Sequence, residues 1–161
     1  MYPVHRLPAV LALALAMFAG PAAADGADDE AFYQRASACA AALQFDQLAL
    51  VAKARGGATD VRPELLHLTK LGFAYVGRAY LRGLRDPRGS EMLKAATAEQ
   101  KSWPEARHKT LAAQCRVEAQ KVYDDAGLWQ WALDSKAAKR VDRFLSAPAP
   151  AASGPASSAS R

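Results

Sequence analysis

Apolar residues recur along most of this chain at spacings of three and four, and no segment alternates apolar and polar residues over the length of a strand. Spacings of three and four place side chains on one face of an α-helix. The sequence therefore predicts an all-α protein, a small bundle of four to five helices. The first predicted helix begins near Asp28, ends at Gly56-Gly57 and carries an apolar line at Phe32, Ala36, Cys39 and Leu43.

The second predicted helix is apolar over so much of its surface that we expect it to lie at the centre of the bundle. Thr59-Asp60 is expected to cap it, and Pro63 suits its first turn. Three glycines are expected to let a neighbouring helix approach closely, because glycine has no Cβ. The three glycines are Gly72, Gly77 and Gly83. One apolar line consists of Leu65, Leu68, Gly72, Val76 and Ala79, and the other consists of Leu66, Phe73, Tyr80 and Leu84.

Three further helices are predicted after the break at Asp86-Pro87. A short one follows Ser90. Ser102 and Glu105 have the spacing of a capping box at the start of the fourth, and Gly127 is expected to end it. The fifth is predicted from about Leu128 to Leu145, with Leu128, Trp131, Ala138, Val141 and Leu145 facing inward.

The two ends of the chain differ in composition from the predicted bundle. Arg6 precedes an unbroken apolar run over residues 9–19, and Ala22-Ala23-Ala24 follows a Gly-Pro break. This layout predicts a secretory signal peptide over residues 1–24, because the run is shorter than the about 20 residues that span a bilayer. Residues 147–160 are all Ala, Pro, Ser or Gly and predict a disordered tail over 147–161. The bundle domain is then 25–146.

The charge of the chain argues against a nucleic-acid partner. The full sequence has 21 Lys and Arg against 16 Asp and Glu, and removal of the leader takes one arginine away. The remaining excess is too small for a dedicated nucleic-acid binder. The sequence predicts a periplasmic or secreted protein that has no membrane span after cleavage.

The chain has two cysteines, Cys39 and Cys115, and both lie on predicted apolar faces. Exported proteins fold in an oxidising compartment, where such cysteines pair. We therefore expect a disulfide that joins the first helix to the fourth. Thiol catalysis is disfavoured, because it is typical of an exposed Cys-x-x-Cys pair and neither cysteine has such a neighbour.

Two Glu-x-x-His pairs, Glu64 with His67 and Glu105 with His108, are the one pattern that suggests a metal. Such pairs, with glutamates from other helices, hold the di-iron centre of ferritin-like bundles. Glu99 could contribute a further carboxylate, as could Asp46. The competing interpretation is that Pro-Glu is an ordinary helix opening, and no resident cofactor is expected.

Cations gather on two predicted helix faces. One possible binding face carries Lys70, Arg78, Arg82 and Arg85, and the last helix carries Lys136, Lys139, Arg140 and Arg143. Such faces attract an anionic envelope component or an acidic protein, although solvated helix faces are often charged. Trp129 and Trp131 point in different directions, and Trp129 is expected to be the more exposed.

The sequence contains no nucleophile motif, phosphate-binding loop or dinucleotide fingerprint. The predicted architecture resembles, in general shape alone, small disulfide-braced helical periplasmic proteins such as immunity proteins and acid-stress chaperones. The leading hypothesis is a non-catalytic binding or interaction protein of inhibitor, immunity or chaperone type. The alternative is a metal-binding bundle that uses the Glu-x-x-His pairs.

The leader gives a direct prediction. Protein recovered from cells with active secretion should begin at Asp25, or within a few residues of it, because the small residues before Asp25 suit signal peptidase. Intact-mass spectrometry measures this end. Recovery of protein that retains Met1 would contradict the assignment.

Overall fold

The computed structural model describes residues 22–147, which form five α-helices and no strand. The all-α prediction is confirmed for this part of the chain. The predicted signal peptide, apart from its last three residues, and the predicted tail from residue 148 lie outside it. None of the described helices is long and apolar enough to cross a membrane. The helices are α1 (Ala22–Arg55), α2 (Arg62–Leu81), α3 (Arg88–Gln100), α4 (Glu105–Asp124) and α5 (Gln130–Ser146).

The helix α1 begins at Ala22 and not near Asp28, as the carboxylates had suggested. Alanine has the highest helix propensity, so the three alanines at 22–24 extend the helix backwards. Asp29 and Glu30 consequently lie inside α1, where they bind arginines at the end of α2 and the start of α3.

The helices α1 and α2 form the centre of the bundle. α1 packs against α2, α3 and α4, and α2 packs against α1, α4 and α5. Ion pairs from Arg62 to Asp142 and from Lys70 to Asp134 show that α5 runs antiparallel to α2. α5 therefore contacts the bundle mainly along α2 and leaves its other side open.

The predicted disulfide is present and lies in the core. Cys39 of α1 and Cys115 of α4 are fully buried, with their Cα atoms 5.2 Å apart. The bond joins the first helix to the fourth across 76 residues of sequence. Buried residues of α1, α2 and α4 surround it, including Leu43, Leu68, Leu71, Tyr75 and Ala119.

Three glycines near helix ends adopt a positive φ that other residues rarely adopt. Gly57 has a φ of 97°, as expected at the end of the first helix, whereas Gly127, with a φ of 53°, begins the 3₁₀ turn two residues after Asp125, the C-cap of α4. Gly83 has a φ of 106° and ends α2, so its role is conformational. The expectation of close helix contact is wrong for the other two. A Cβ at Gly72 or Gly77 would lie 3.6 Å or 3.9 Å from the nearest side chain, an ordinary contact distance.

The predicted side-chain caps are absent from α2 and α4. α2 begins at Arg62 after Val61, beyond Thr59-Asp60, and α4 begins at Glu105 itself after an extended Pro104. Ser102 lies two residues before Pro104, which occupies the N-cap position of α4, and its hydroxyl donates a hydrogen bond to the Glu99 carbonyl, 3.0 Å away.

The predicted inward face of the last helix is wrong at its start. Residues Gly127–Trp129 form a 3₁₀ turn, and α5 begins only at Gln130. The buried residues are Ala137 and Val141. Trp131 lies ten residues before Val141 and is rotated from it by about 80° at 3.6 residues per turn. Trp131 is consequently 73% exposed and Leu128 90% exposed.

The buried disulfide predicts a large effect of reduction. Opening it should lower the free energy of unfolding by about 2–5 kcal/mol, because the unfolded chain gains freedom over a long loop. Cys39→Ser should lower stability at least as much, because it leaves the Cys115 thiol without a partner and buries a hydroxyl group. Denaturant titration with and without reductant measures both effects.

A Cys39→Ala/Cys115→Ala double variant is the matched control for this experiment. It should be less destabilised than Cys39→Ser and should not respond to reductant. Titration of two free thiols in the oxidised, denatured wild-type protein would contradict the bond.

Candidate functional site

The two side chains of the first Glu-x-x-His pair lie in different surroundings. Glu64 accepts a hydrogen bond from Arg116 Nη1 at 2.6 Å, while His67 is exposed. The same arginine binds Asp46 through Nη2 at 2.8 Å. Both carboxylates therefore neutralise a cation of α4, and they hold α1 and α2 against it.

The side chains of the second pair, Glu105 and His108, also bind neighbouring groups of the protein. Glu105 binds Lys109 at 2.6 Å, which lowers the pKa of the glutamate. His108 Nε2 lies 2.5 Å from the Gln100 carbonyl oxygen, and its ring packs edge-on against Phe45. Nowhere in residues 22–147 do three or more His, Cys, Asp or Glu side chains gather in an arrangement that could hold a metal ion. The two predicted pairs are thus not brought together with further ligands in this range.

The predicted basic face of α2 is largely paired within the protein. Lys70 lies 3.0 Å from Asp134, and Arg82 lies 3.2 Å from Asp29 with its guanidinium over the Phe32 ring. Arg85 donates to the carbonyls of Tyr80 and Leu84. Arg78 is exposed. Three of the four cations therefore attach α2 to other parts of the bundle or close its end.

A charged cluster beside the disulfide joins three helices. Glu118 of α4 accepts hydrogen bonds from Arg35 Nε of α1 and from the Tyr75 hydroxyl of α2, both at 2.9 Å. The hydrogen bond from Arg35 is the main reason that the pKa of Glu118 is lowered, and burial raises the pKa of Tyr75. Every member has a partner, so the arrangement acts as a clamp between helices.

The cations of α5 are arranged differently. Its two carboxylates turn towards α2, where Asp134 binds Lys70 and Asp142 binds Arg62 at 2.7 Å. Its four cations form no ion pair among the side chains that the structure describes. Three of them are exposed at spacings of three and four, and the Arg140 guanidinium lies 4.5 Å from the centre of the Phe144 ring. The cations are Lys136, Lys139, Arg140 and Arg143.

Large apolar side chains project at the start of the same helix. Leu128 is 90% exposed, Trp129 66% and Trp131 73%. These three exposed apolar residues lie within four positions of one another in the sequence, at the junction of the 3₁₀ turn and α5. The sequence identified Trp129 as exposed but placed Trp131 and Leu128 in the core. We call these three residues and the four α5 cations the α5 surface.

The described cavities lie elsewhere. A groove of about 150 Å³ between α1, α2 and α3 is lined mainly by small apolar residues, with Tyr80, Asp86 and Ser90 at its polar edge. Tyr80 and Ser90 both donate to Asp86, at 2.5 Å and 2.6 Å. This groove is well below the about 300–1,000 Å³ of usual ligand pockets. A second depression, of about 390 Å³, lies along α3 between Gln44 and Lys101, and it is open to solvent. The α5 surface is the better candidate site.

Comparison with known proteins gives no functional guide. No protein-family model, curated protein or solved structure matches this chain. The function is therefore argued from the α5 surface and its surroundings.

The Glu118 cluster gives a pH-dependent prediction. Because its folded-state pKa is below the usual 4.5, Glu118 stabilises the fold above about pH 4.5, and this contribution is lost as the pH falls through the lowered pKa. Glu118→Gln should reduce stability at pH 7 by about 1 kcal/mol, a modest effect because water screens the partly exposed pair. The difference from wild type should shrink at pH 3.

Urea titrations at the two pH values measure this change. Glu99→Gln, at an exposed glutamate of α3, is the control and should alter stability little at either pH. An equal deficit of Glu118→Gln at pH 7 and pH 3 would show that the ionised carboxylate does not stabilise the clamp.

Proposed function

We propose that the protein is a non-catalytic binding protein of the periplasm or the extracellular space, and that it binds through the α5 surface. The observation that carries the proposal is the exposure of Trp129 and Trp131 at the start of a helix whose cations no described carboxylate neutralises. Tryptophan and arginine are the residues most enriched in the energetic centres of interfaces.

Two charged clusters elsewhere in the described chain differ from the α5 cations. Arg116 joins Asp46 to Glu64, and Arg35 joins Glu118, so these clusters hold helices together. The α5 cations make no such connection. A protein that needed them for its fold would be expected to pair them as it pairs Lys70 and Arg62.

The proposed compartment rests on two features that agree with each other. The leader has the layout of a signal peptide. The Cys39–Cys115 bond is of the kind that persists in oxidising compartments. Both favour export.

The metal-binding alternative has no comparable support. In the described residues Glu64 and Glu105 each bind a cation, and His67 and His108 belong to different surroundings. We therefore do not extend the proposal to a metal.

Photo-crosslinking in secreting cells tests the proposed function. A photoreactive amino acid at position 131 should form adducts on irradiation, because the site is in contact with its partner in the native compartment. The matched control is position 48, where Leu48 of α1 is also exposed, at 49%. Adducts of any class, protein or lipid, that form at 131 and not at 48 are the expected result. Equal yields at both positions, or none at 131, would contradict the proposal.

A further inference from the structure

We infer that the α5 surface binds the surface of an anionic phospholipid bilayer, with its cations on the headgroup phosphates and its tryptophans in the interfacial layer. The inference rests on the proposed function and names the class of partner.

The arrangement of cations suits a flat anionic surface. Lys136, Lys139 and Arg143 recur at spacings of three and four, which places them along one line of α5 about 10 Å long at 1.5 Å per residue. Both acidic residues of α5 are paired with cations of α2, Asp134 with Lys70 and Asp142 with Arg62. The line of cations can therefore meet a membrane without an unpaired carboxylate on the same helix. Each such cation strengthens binding to an anionic membrane by about fivefold.

The apolar residues suit the depth of the headgroups. Tryptophan is enriched at membrane–water interfaces, because its ring is apolar and its indole N–H can bond to water and polar groups. Trp129 and Trp131 lie on different sides of the start of α5, and Leu128 projects from the turn before it. Trp131 is rotated from Lys136 by about 140° at 3.6 residues per turn, so the apolar groups surround the start of α5 and do not simply continue its basic face.

The shape of this surface favours a bilayer over an acidic protein. The three apolar side chains protrude, and α5 contributes no residue to the groove between α1, α2 and α3. A bilayer surface is deformable and accepts protruding side chains. A folded partner would need pockets shaped to receive two separate tryptophans.

Two acidic residues near the start of α5 should oppose binding to an anionic membrane. Asp124 and Asp125 lie at the end of α4, close in sequence to Leu128. Asp124 accepts a hydrogen bond from Gln120, and Asp125 is exposed. Lys121 of the same turn offsets part of their charge. Asp125→Asn should therefore strengthen binding to anionic vesicles.

Vesicle binding by the oxidised protein tests the inference. We expect binding to vesicles of equal parts phosphatidylglycerol and phosphatidylcholine, little binding to phosphatidylcholine alone, and weaker binding as salt screens the charges. Lys139→Gln/Arg143→Gln should weaken binding about thirtyfold, from two cations at about fivefold each. The matched control, Lys53→Gln/Lys94→Gln, removes the same charge from exposed sites on α1 and α3 and should bind nearly as wild type.

Tryptophan fluorescence supplies a second readout. Emission should shift to shorter wavelength on anionic vesicles, and Trp129→Phe/Trp131→Phe should abolish the shift. The third tryptophan, Trp103, is the internal reference, because it lies under the guanidinium of Arg107 at 3.6 Å and away from α5.

The possible failures are distinguishable. Equal loss of binding in the α5 and control double variants, or no preference for anionic vesicles, would overturn the inference. If the protein does not bind anionic vesicles while position 131 crosslinks to a protein in cells, the partner is an acidic protein. The lipid inference is then wrong, and the proposed function stands. If the protein neither binds vesicles nor crosslinks at position 131, the lipid inference and the proposed function are both wrong.

Discussion

The Cys39–Cys115 bond is the constraint on which the rest of this structure depends. It fixes α1 to α4 at the centre of the core, and the side chains next to it in α4 extend the connection. Arg116 reaches carboxylates on α1 and α2, while Glu118 reaches an arginine on α1 and a tyrosine on α2. One short stretch of α4 therefore ties three helices together by a covalent bond, two ion-pair groups and buried apolar packing.

This arrangement leaves α5 outside the part of the core that the disulfide joins. It packs mainly along α2, where Val141 joins a small apolar cluster with Leu65 and Val51. Its carboxylates bind cations of α2, and its cations and the two tryptophans at its start are exposed. A rigid bundle that carries one basic, aromatic face is well suited to hold that face against a partner, because little ordering is needed on binding.

Much of the fold could be predicted because it depends on local chemistry. Helical periodicity identified the five helices, a glycine marked the end of α1, and two cysteines on apolar faces in a chain with a predicted leader implied their bond. The predictions were wrong where the surroundings of a side chain depend on residues that are distant in the sequence. Lys70 looked like part of a free basic face until α5 brought Asp134 to it.

The candidate site was only partly visible in the sequence for the same reason. The cations of α5 could be found by their spacing, but their lack of partners depends on which way Asp134 and Asp142 turn. Trp131 was grouped with Val141 on one inward face, although ten α-helical residues rotate it from Val141 by about 80°. Leu128 was placed on that face too, but it lies in a 3₁₀ turn before α5, which no local signal marks. The exposed pair of tryptophans therefore emerged only with the structure.

Oxidative footprinting of the tryptophans in intact secreting cells tests the central claim most directly. Trp129 and Trp131 should be readily oxidised in the purified protein and protected in cells, whereas Trp103 should react to the same extent in both. Such a result is predicted if the α5 surface is covered in its native compartment. Equal oxidation of Trp129 and Trp131 in the two samples would contradict the account.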